Sequence, residues 1–314
     1  MGMNVFDRNA GFAAGQAQVL GFDKDTGIDS KSYGAPGSKI FYVDPNNSQA
    51  VDLGNLGEDP TVPLATIQYA VTNLVRDHMG DTIYVGGNDA WQYAPGNRPL
   101  PIQESVVIPP TKGGIRIVGV STNPLGVLWE AAANNGTCLT IDAIDVLVEG
   151  FAFVEDNFTN TTGIFIEWTN GTTEAGENAT VRNCYFYDLD YGISLDFCWY
   201  NQIYNCRFET CAVAAIANLG ITGDPDYLSL HNCDFFANAI ALDLNDTDDC
   251  FIHDNRFTVP DPTALTATMI DLAGGSNSQV ANNYLSCTTA QADVIAPKDA
   301  NDFWVYNHCT DGEH

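Results

Sequence analysis

Basic residues are scarce in this chain. Its 314 residues hold 12 Lys and Arg against 40 Asp and Glu, a net charge of −28 at pH 7. That balance argues against nucleic acid and anionic membrane as partners, since both repel a polyanion. It suits solubility and the mutual repulsion of copies in a crowded assembly. Long apolar runs are missing too, and no stretch approaches the length needed to span a bilayer. The amino terminus, Met1-Gly-Met-Asn-Val-Phe-Asp-Arg8, has no charged lead followed by an apolar run, so no export signal is expected. No phosphate loop, dinucleotide fingerprint or nucleophile elbow occurs. The nine cysteines form no Cys-x-x-Cys pair and no metal-finger spacing.

What the chain does have is a short phrase, repeated. Val181-Arg-Asn-Cys-Tyr-Phe186 returns as Ile203-Tyr-Asn-Cys-Arg-Phe208 and Leu230-His-Asn-Cys-Asp-Phe235. Weaker copies are Ile252-His-Asp-Asn-Arg-Phe257, Val280-Ala-Asn-Asn-Tyr-Leu285 and Val305-Tyr-Asn-His-Cys-Thr310; Val148-Glu-Gly-Phe-Ala-Phe153 and Ile117-Val-Gly-Val120 precede them. The spacing between copies, 22 to 33 residues, is a solenoid period. Alternation on both sides of an Asn predicts two short strands joined at a bend, where Asn tolerates the left-handed conformation. Stacked bends would let the amides bond to one another along the axis. A second phrase, Gly163-Ile-Phe-Ile-Glu167, recurs as Gly192-Ile-Ser-Leu-Asp196, Ala215-Ile-Ala-Asn-Leu219, Ala239-Ile-Ala-Leu-Asp243 and Met269-Ile-Asp-Leu272. One coil is then three strands and three bends, too small to bury its own core, so coils must stack. The fold class predicted is all-β, a single-stranded parallel β-helix. Cys184, Cys206 and Cys233 share one column as small core hydrophobes, which predicts reduced thiols and folding in a reducing cytoplasm.

Residues 1–38 show little periodicity and are expected to form an extended N-terminal arm for anchoring or assembly. The β-helix domain is expected over 39–314. It opens with Lys39-Ile-Phe-Tyr-Val43, an acidic loop, and a capping helix over about 64–79. In that helix Leu64, Ile67, Val71, Leu74 and Val75 form one apolar face, Arg76 and His78 occupy the last turn, and Gly80 is the stop. A Gly-, Asn- and Pro-rich excursion carrying Trp91 and Tyr93 follows the next strand.

Phe41-Tyr-Val-Asp44, Ala65-Thr-Ile-Gln-Tyr-Ala-Val71, Gly80-Asp-Thr-Ile-Tyr-Val85, Val107-Ile-Pro109 and Ile117-Val-Gly119 together resemble the start of right-handed β-helices of the pectate-lyase superfamily. The resemblance spans about residues 39–310 and implies a right-handed β-helix. It does not choose an activity, because that superfamily includes lyases, hydrolases, phage tailspikes and non-catalytic virion proteins. Its lyases use acidic calcium ligands and a basic residue that takes a proton. No base stands out here, so no catalytic residue is carried over, and calcium is supported only by that resemblance. Asp243-Leu-Asn-Asp-Thr-Asp-Asp249 has the composition of a calcium loop but lacks the glycine turn and distal Glu of an EF-hand, so a solvated bend is expected.

The candidate catalytic carboxylates are Glu167 and Asp196 on adjacent coils, with Asp243 in the same column after Leu219. Trp168 and Phe197 follow the first two. Carboxylates one rung apart, about 4.8 Å, beside aromatic faces are what a retaining glycosidase uses. The same aromatics equally suit a subunit interface or a glycan. Arg207, Asp234 and Arg256 share a column read as a surface charge ladder, worth a fraction of a kcal/mol per pair. His231 and His253 are adjacent in another column, with no third ligand to complete a metal site.

Three function classes remain. The first is a virion-associated structural protein: a homotrimeric phage capsid decoration protein, assembled in the bacterial cytoplasm and held to a capsid or tail protein by its arm. The others are a polysaccharide-degrading tailspike, hydrolase or lyase, and a non-catalytic module that binds a host-surface glycan. The missing export signal, core thiols and acidity favour the first, without an enzymatic role, cofactor, nucleic acid or membrane.

Overall fold

The computed structural model describes residues 37–54, 56–87, 101–121, 126–168, 176–221, 223–258, 269–286 and 302–309. The arm up to residue 36 and the excursion with Trp91 and Tyr93 lie outside the described residues. The strands fall into three parallel sheets, of ten, nine and seven strands among the described residues. In the middle coils, Thr180–Arg182 belongs to the first sheet, Tyr185–Tyr187 to the second and Tyr191–Asp196 to the third. The next coil repeats them as Gln202–Tyr204, Arg207–Glu209 and Ala214–Asn218, in register. This is a parallel β-helix.

The repeated phrase makes the corner between the first and second sheets. Gly150, Asn183, Asn205, Asn232, Asp254, Asn282 and Tyr306 occupy it with φ of 81, 52, 53, 54, 55, 55 and 56°. A single left-handed residue turns the chain, and Gly, Asn and Asp tolerate that conformation. Phe153, Phe186, Phe208, Phe235 and Phe257 then stack inside at centroid spacings of 5.1, 4.7, 4.9 and 4.7 Å. Each buried ring contributes roughly 1.5–3 kcal/mol through removal from water.

The expected amide ladder exists, but one residue further along. The bend residues Asn183, Asn205 and Asn232 are exposed; the residue after each bend faces inward. Down that inner column run Cys184, Cys206, Cys233, Asn255, Asn283 and Asn307. Each of the last five donates to the carbonyl of an apolar strand residue one coil back. For the thiols the acceptors are Val181 at 3.7 Å and Ile203 at 3.8 Å. For the amides they are Leu230 at 3.0 Å, Ile252 at 3.0 Å and Val280 at 2.8 Å. The amide oxygens also accept the backbone N–H groups of Cys233, Asn255 and Asn283, each at 2.9 Å. The column therefore shifts from apolar to polar towards the C-terminal coils while serving one geometric slot. All seven cysteines with described side chains are free and buried, and burial pushes the Cys184 and Cys206 thiols well above their usual range.

Two sequence expectations need correction. The capping helix is short: an α-turn at Ile67–Tyr69 continues as a wider π-turn at Ala70–Leu74. Leu64 instead bridges to Val43 as a strand residue. Thr66 caps the start, and Glu104 accepts the N–H groups of Ile67 at 3.0 Å and Gln68 at 2.6 Å. Val75 is already extended, and Arg76 leaves the helix to hold the buried carboxylate of Asp81. Ile67, Ala70, Val71 and Val75 still join the continuous core. The last phrase is also shifted by one residue. Trp304, not Val305, pairs with Val280, which puts Tyr306 at the left-handed corner and Asn307 in the ladder. Asn307 can satisfy Asn283 only from that position.

Candidate functional site

The third sheet carries the candidate carboxylates. Along Thr162–Glu167 and Tyr191–Asp196, alternation buries Ile164, Ile166, Ile193 and Leu195 in the core. Phe165, Glu167, Ser194 and Asp196 consequently lie on the opposite face. Glu167 pairs in register with Asp196. Ile141 pairs with Ile166, so Asp142 precedes Glu167 on the rung before. Three carboxylates thus occupy three successive rungs about 4.8 Å apart. Asp196 is 2% exposed and Asp142 8%. Burial first, then the charges of Asp142 and Asp196, hold the Glu167 carboxyl above its ordinary range. A carboxyl whose proton affinity is raised beside two further carboxyl groups is the arrangement of a general acid.

Asp243 is not part of this column. It pairs with Ala217, which pairs with Ser194, two residues away from the expected register. Leu242 and Leu244 are the buried apolar pair of that coil, so the inward alternation settles on them rather than on Ile240 and Leu242. Buried Asn238 fixes the preceding corner by accepting the Cys211 N–H at 2.9 Å and donating to the Phe208 carbonyl at 3.1 Å. Asp243 instead faces Asp271 on the next rung, and burial together with that charge raises its proton affinity.

The aromatic neighbours do come together. Trp168 and Phe197 have ring centroids 4.5 Å apart, and Phe197 lies 4.8 Å from Trp199. The Trp168 N–H donates to the Asp196 carbonyl at 3.2 Å, extending the ladder one residue beyond the strand. Phe197 has φ of 48°, a strained value for a bulky residue. Gly223 holds it there: its carbonyl accepts the Phe197 N–H at 3.1 Å, and a Cβ on Gly223 would lie 2.3 Å from the ring. The next corner residues, Tyr200 and Tyr227, stack at 4.7 Å and are 51% and 44% exposed; Ile221 nearby is 66% exposed. Half-buried rings thus grade into exposed ones along the corner between the third and first sheets.

The other sequence candidates have local partners. Arg207, Asp234 and Arg256 do align, but Arg207 is closer to Glu209 at 2.7 Å than to Asp234 at 3.9 Å. His231 and His253 stack at 5.0 Å, with Tyr204 stacked on the other face of His231 at the same spacing. The His253 ring bonds Asp254 at 2.8 Å. In the Asp243–Asp249 bend, Asp248 accepts from the Ser276 N–H at 2.6 Å and hydroxyl at 2.9 Å. Among the described residues no group of three or more His, Cys, Asp or Glu could hold a metal ion, the Asp142–Glu167–Asp196 row included, since carboxylates strung along an axis do not converge.

Sequence reasoning missed Asp142 and Trp199. Leu139-Thr-Ile-Asp142 repeats Ile164-Phe-Ile-Glu167, a usable signal hidden by the absence of the leading glycine. Trp199 sits in Phe197-Cys-Trp-Tyr200, where three of four residues are aromatic.

The family model described as "Right handed beta helix region" matches residues 133–286. Among solved structures, the chain is similar to the GH136 lacto-N-biosidase from Eubacterium ramulus. Identity is 13% and the TM-score 0.54, over 86% of this chain and 56% of that one. It is also similar to ORF18 of Geobacillus virus E2, at 11% identity and a TM-score of 0.45, over 87% and 62% of the two chains. A pectin methylesterase in complex with a hexasaccharide shows 9% identity and a TM-score of 0.38, over 88% and 92%. No curated protein matches the chain. The chain spans little more than half the length of the lacto-N-biosidase, and at these identities the likeness is one of fold: a right-handed parallel β-helix.

Proposed function

We propose that this right-handed parallel β-helix is a virion-associated structural protein, a phage capsid decoration protein that assembles as a homotrimer. The observation carrying the proposal is the graded aromatic corner of Trp168, Phe197, Trp199, Tyr200 and Tyr227, with Tyr200, Tyr227 and Ile221 exposed. On a chain of net charge −28, apolar surface of this kind marks a protein-protein contact. Aromatic rings form the centre of such contacts and charged groups their rim. Free, buried cysteines support assembly in a reducing cell. In this reading residues 1–38 tether the body to the particle.

Light scattering of the purified full chain tests the assembly. The expected mass is three times the 33.9 kDa chain, and Trp168→Ala should shift it towards the monomer. A wild type that stays monomeric at high concentration would overturn the proposal.

A second reading, glycan cleavage, is favoured by one observation: the raised proton affinity of Glu167 beside Asp196. Glu167 would protonate the leaving glycosidic oxygen, and Asp196, 2% exposed in the isolated chain, would have to be uncovered by the substrate to attack the anomeric carbon and give a glycosyl-enzyme that water hydrolyses. Sugar release from a polysaccharide panel by the wild type, lost in Glu167→Gln with mass unchanged, would promote this reading over the first.

A further inference from the structure

A groove of about 460 Å³ runs along the corner between the first and second sheets, away from the carboxylate row and its aromatic neighbours on the third sheet. On one side stand the bend residues Asn183, Asn205 and Asn232, on the other the column of Tyr185, Arg207 and Asp234. The size is that of a small-ligand site. We propose that this groove binds an uncharged linear oligosaccharide lying along the solenoid axis.

Three features point to that ligand. The bend residues share one left-handed conformation and are exposed, so the corner presents one amide per rung, about 4.8 Å apart. An amide both donates and accepts, as a sugar hydroxyl does, and a regular row of amides fits a polymer that repeats its polar groups along its length. Most of this amide capacity is unused. The Asn205 side chain makes no hydrogen bond among the described residues. The Asn183 amide spends only its Nδ2, on Glu149 at 2.8 Å, and that of Asn232 only its Nδ2, on His231 at 3.0 Å.

The opposite wall adds one donor and one acceptor without net charge. The Arg207 guanidinium is 47% exposed, is bound to Glu209 at 2.7 Å, and lies 5.7 Å from the Tyr185 ring centroid. Asp234 faces it from the next rung, with its side chain 35% exposed and lining the groove. A groove with balanced charge on so acidic a chain disfavours an anionic polymer.

The probes are chitohexaose, cellohexaose and maltohexaose, with hexagalacturonate as the anionic comparison, titrated into the full chain by calorimetry. Asn205→Gly and Asn232→Gly remove amides while keeping a residue that accepts positive φ. Arg207→Gln removes the donor fork, and circular dichroism checks that each variant stays folded. At least one neutral hexasaccharide should bind. Each amide variant should weaken it about five-fold, the effect of one lost hydrogen bond. Hexagalacturonate should not compete, and Trp168→Ala should leave binding unchanged. Four outcomes would overturn the proposal: no neutral sugar binds; binding survives both amide variants; the anionic sugar binds as well; or Trp168→Ala abolishes binding. The Trp168 arm also keeps this test distinct from that of the aromatic corner, since a chain that fails to trimerise can still bind sugar here.

Discussion

Replacing Asn283 with Ala should unfold the C-terminal coils at a much lower denaturant concentration than the wild type. Asn283 is 1% exposed and serves four bonds at once. Its Oδ1 accepts the Asn255 backbone N–H at 2.9 Å and the Asn255 amide at 3.1 Å. Its Nδ2 donates to the Ile252 carbonyl and to Asn307, both at 3.0 Å. The Asn255 amide keeps the Leu230 carbonyl, and Asn307 keeps the Asn283 backbone N–H, so neither is stranded. The groups left exposed to loss are the Asn255 backbone N–H and the Ile252 carbonyl. A buried group without a partner costs about 1–3 kcal/mol, so stranding two should cost about 2–6 kcal/mol. Asn283→Cys separates the two contributions. A thiol can still donate weakly to Ile252, as Cys233 does to Ile203, but leaves the Asn255 N–H unmet, so its cost should be smaller. Urea melts give the total. Hydrogen exchange of residues 252–285 locates it, which matters because stacked coils can open locally. If Asn283→Ala lies within about 0.5 kcal/mol of wild type, the single-slot account of this column is wrong.

Two further outcomes follow from buried groups. Burial alone would raise the Glu130 carboxyl, but the Asn157 side chain and backbone, Gln103 and the Asp156 N–H donate to it and together hold it below the usual range. A folded-state value below the unfolded one stabilises above about pH 4.3 and is lost as pH falls through the folded value. Glu130→Gln should therefore cost about 1–3 kcal/mol at pH 7, and melts should show the gap closing towards pH 3. A gap that is constant with pH would show that packing, not charge, sets the cost. The thiols of Cys184, Cys206 and Cys233 should resist labelling until the chain unfolds, and Cys206→Asp should cost several kcal/mol by placing a charge in a packed column. Mapped disulfides joining these residues would remove the case for folding in a reducing cell.

The coil period was legible because the Asn bend needs one residue type and the Phe column another, and each recurs where the stack requires it. The column of Cys184, Cys206 and Cys233 was likewise readable, since residues alike in sequence proved alike in register. What escaped was register where the phrase has two apolar candidates. Ile240 and Leu244 both offer a partner for Leu242, and only packing in three dimensions chooses. Trp304 and Val305 pose the same ambiguity, resolved by the Asn307 amide. The helix was overextended because its apolar spacing persists past Leu74, while Asp81, five residues beyond Arg76, takes the backbone and side chain of Arg76 away. In the candidate site, the register of Glu167 with Asp196 and the contact of Trp168 with Phe197 were legible because these residues extend a clear strand. Asp243 was misplaced by the Leu242 ambiguity.

If the proposed trimer seats a partner on the aromatic corner, the neighbouring carboxylate row should make its assembly sensitive to pH. In the isolated chain, burial and the neighbouring Asp142 and Asp196 already raise the Glu167 carboxyl above its ordinary range. Trp168 and Phe197 stand beside it, so a partner seated on those rings would remove more water from the acid. Desolvation disfavours the ionised form, so the proton affinity of Glu167 should rise again in the trimer. A complex that binds protons more tightly than its parts takes them up on forming, and association then strengthens as pH falls. A further rise of one unit contributes about 1.4 kcal/mol, roughly ten-fold in association per affected carboxyl, once pH is below the free-chain value. The increase should appear as pH is lowered stepwise from 7.5 into the acid range, as Glu167 takes up its proton. Glu167→Gln fixes the neutral form, so it should associate at pH 7.5 about as the acidified wild type does, with a flatter profile. Sedimentation equilibrium of both proteins across that range measures this. Association that weakens on acidification, or a Glu167→Gln profile as steep as the wild type, would place the carboxylates outside the contact and leave the aromatic corner alone to hold the trimer.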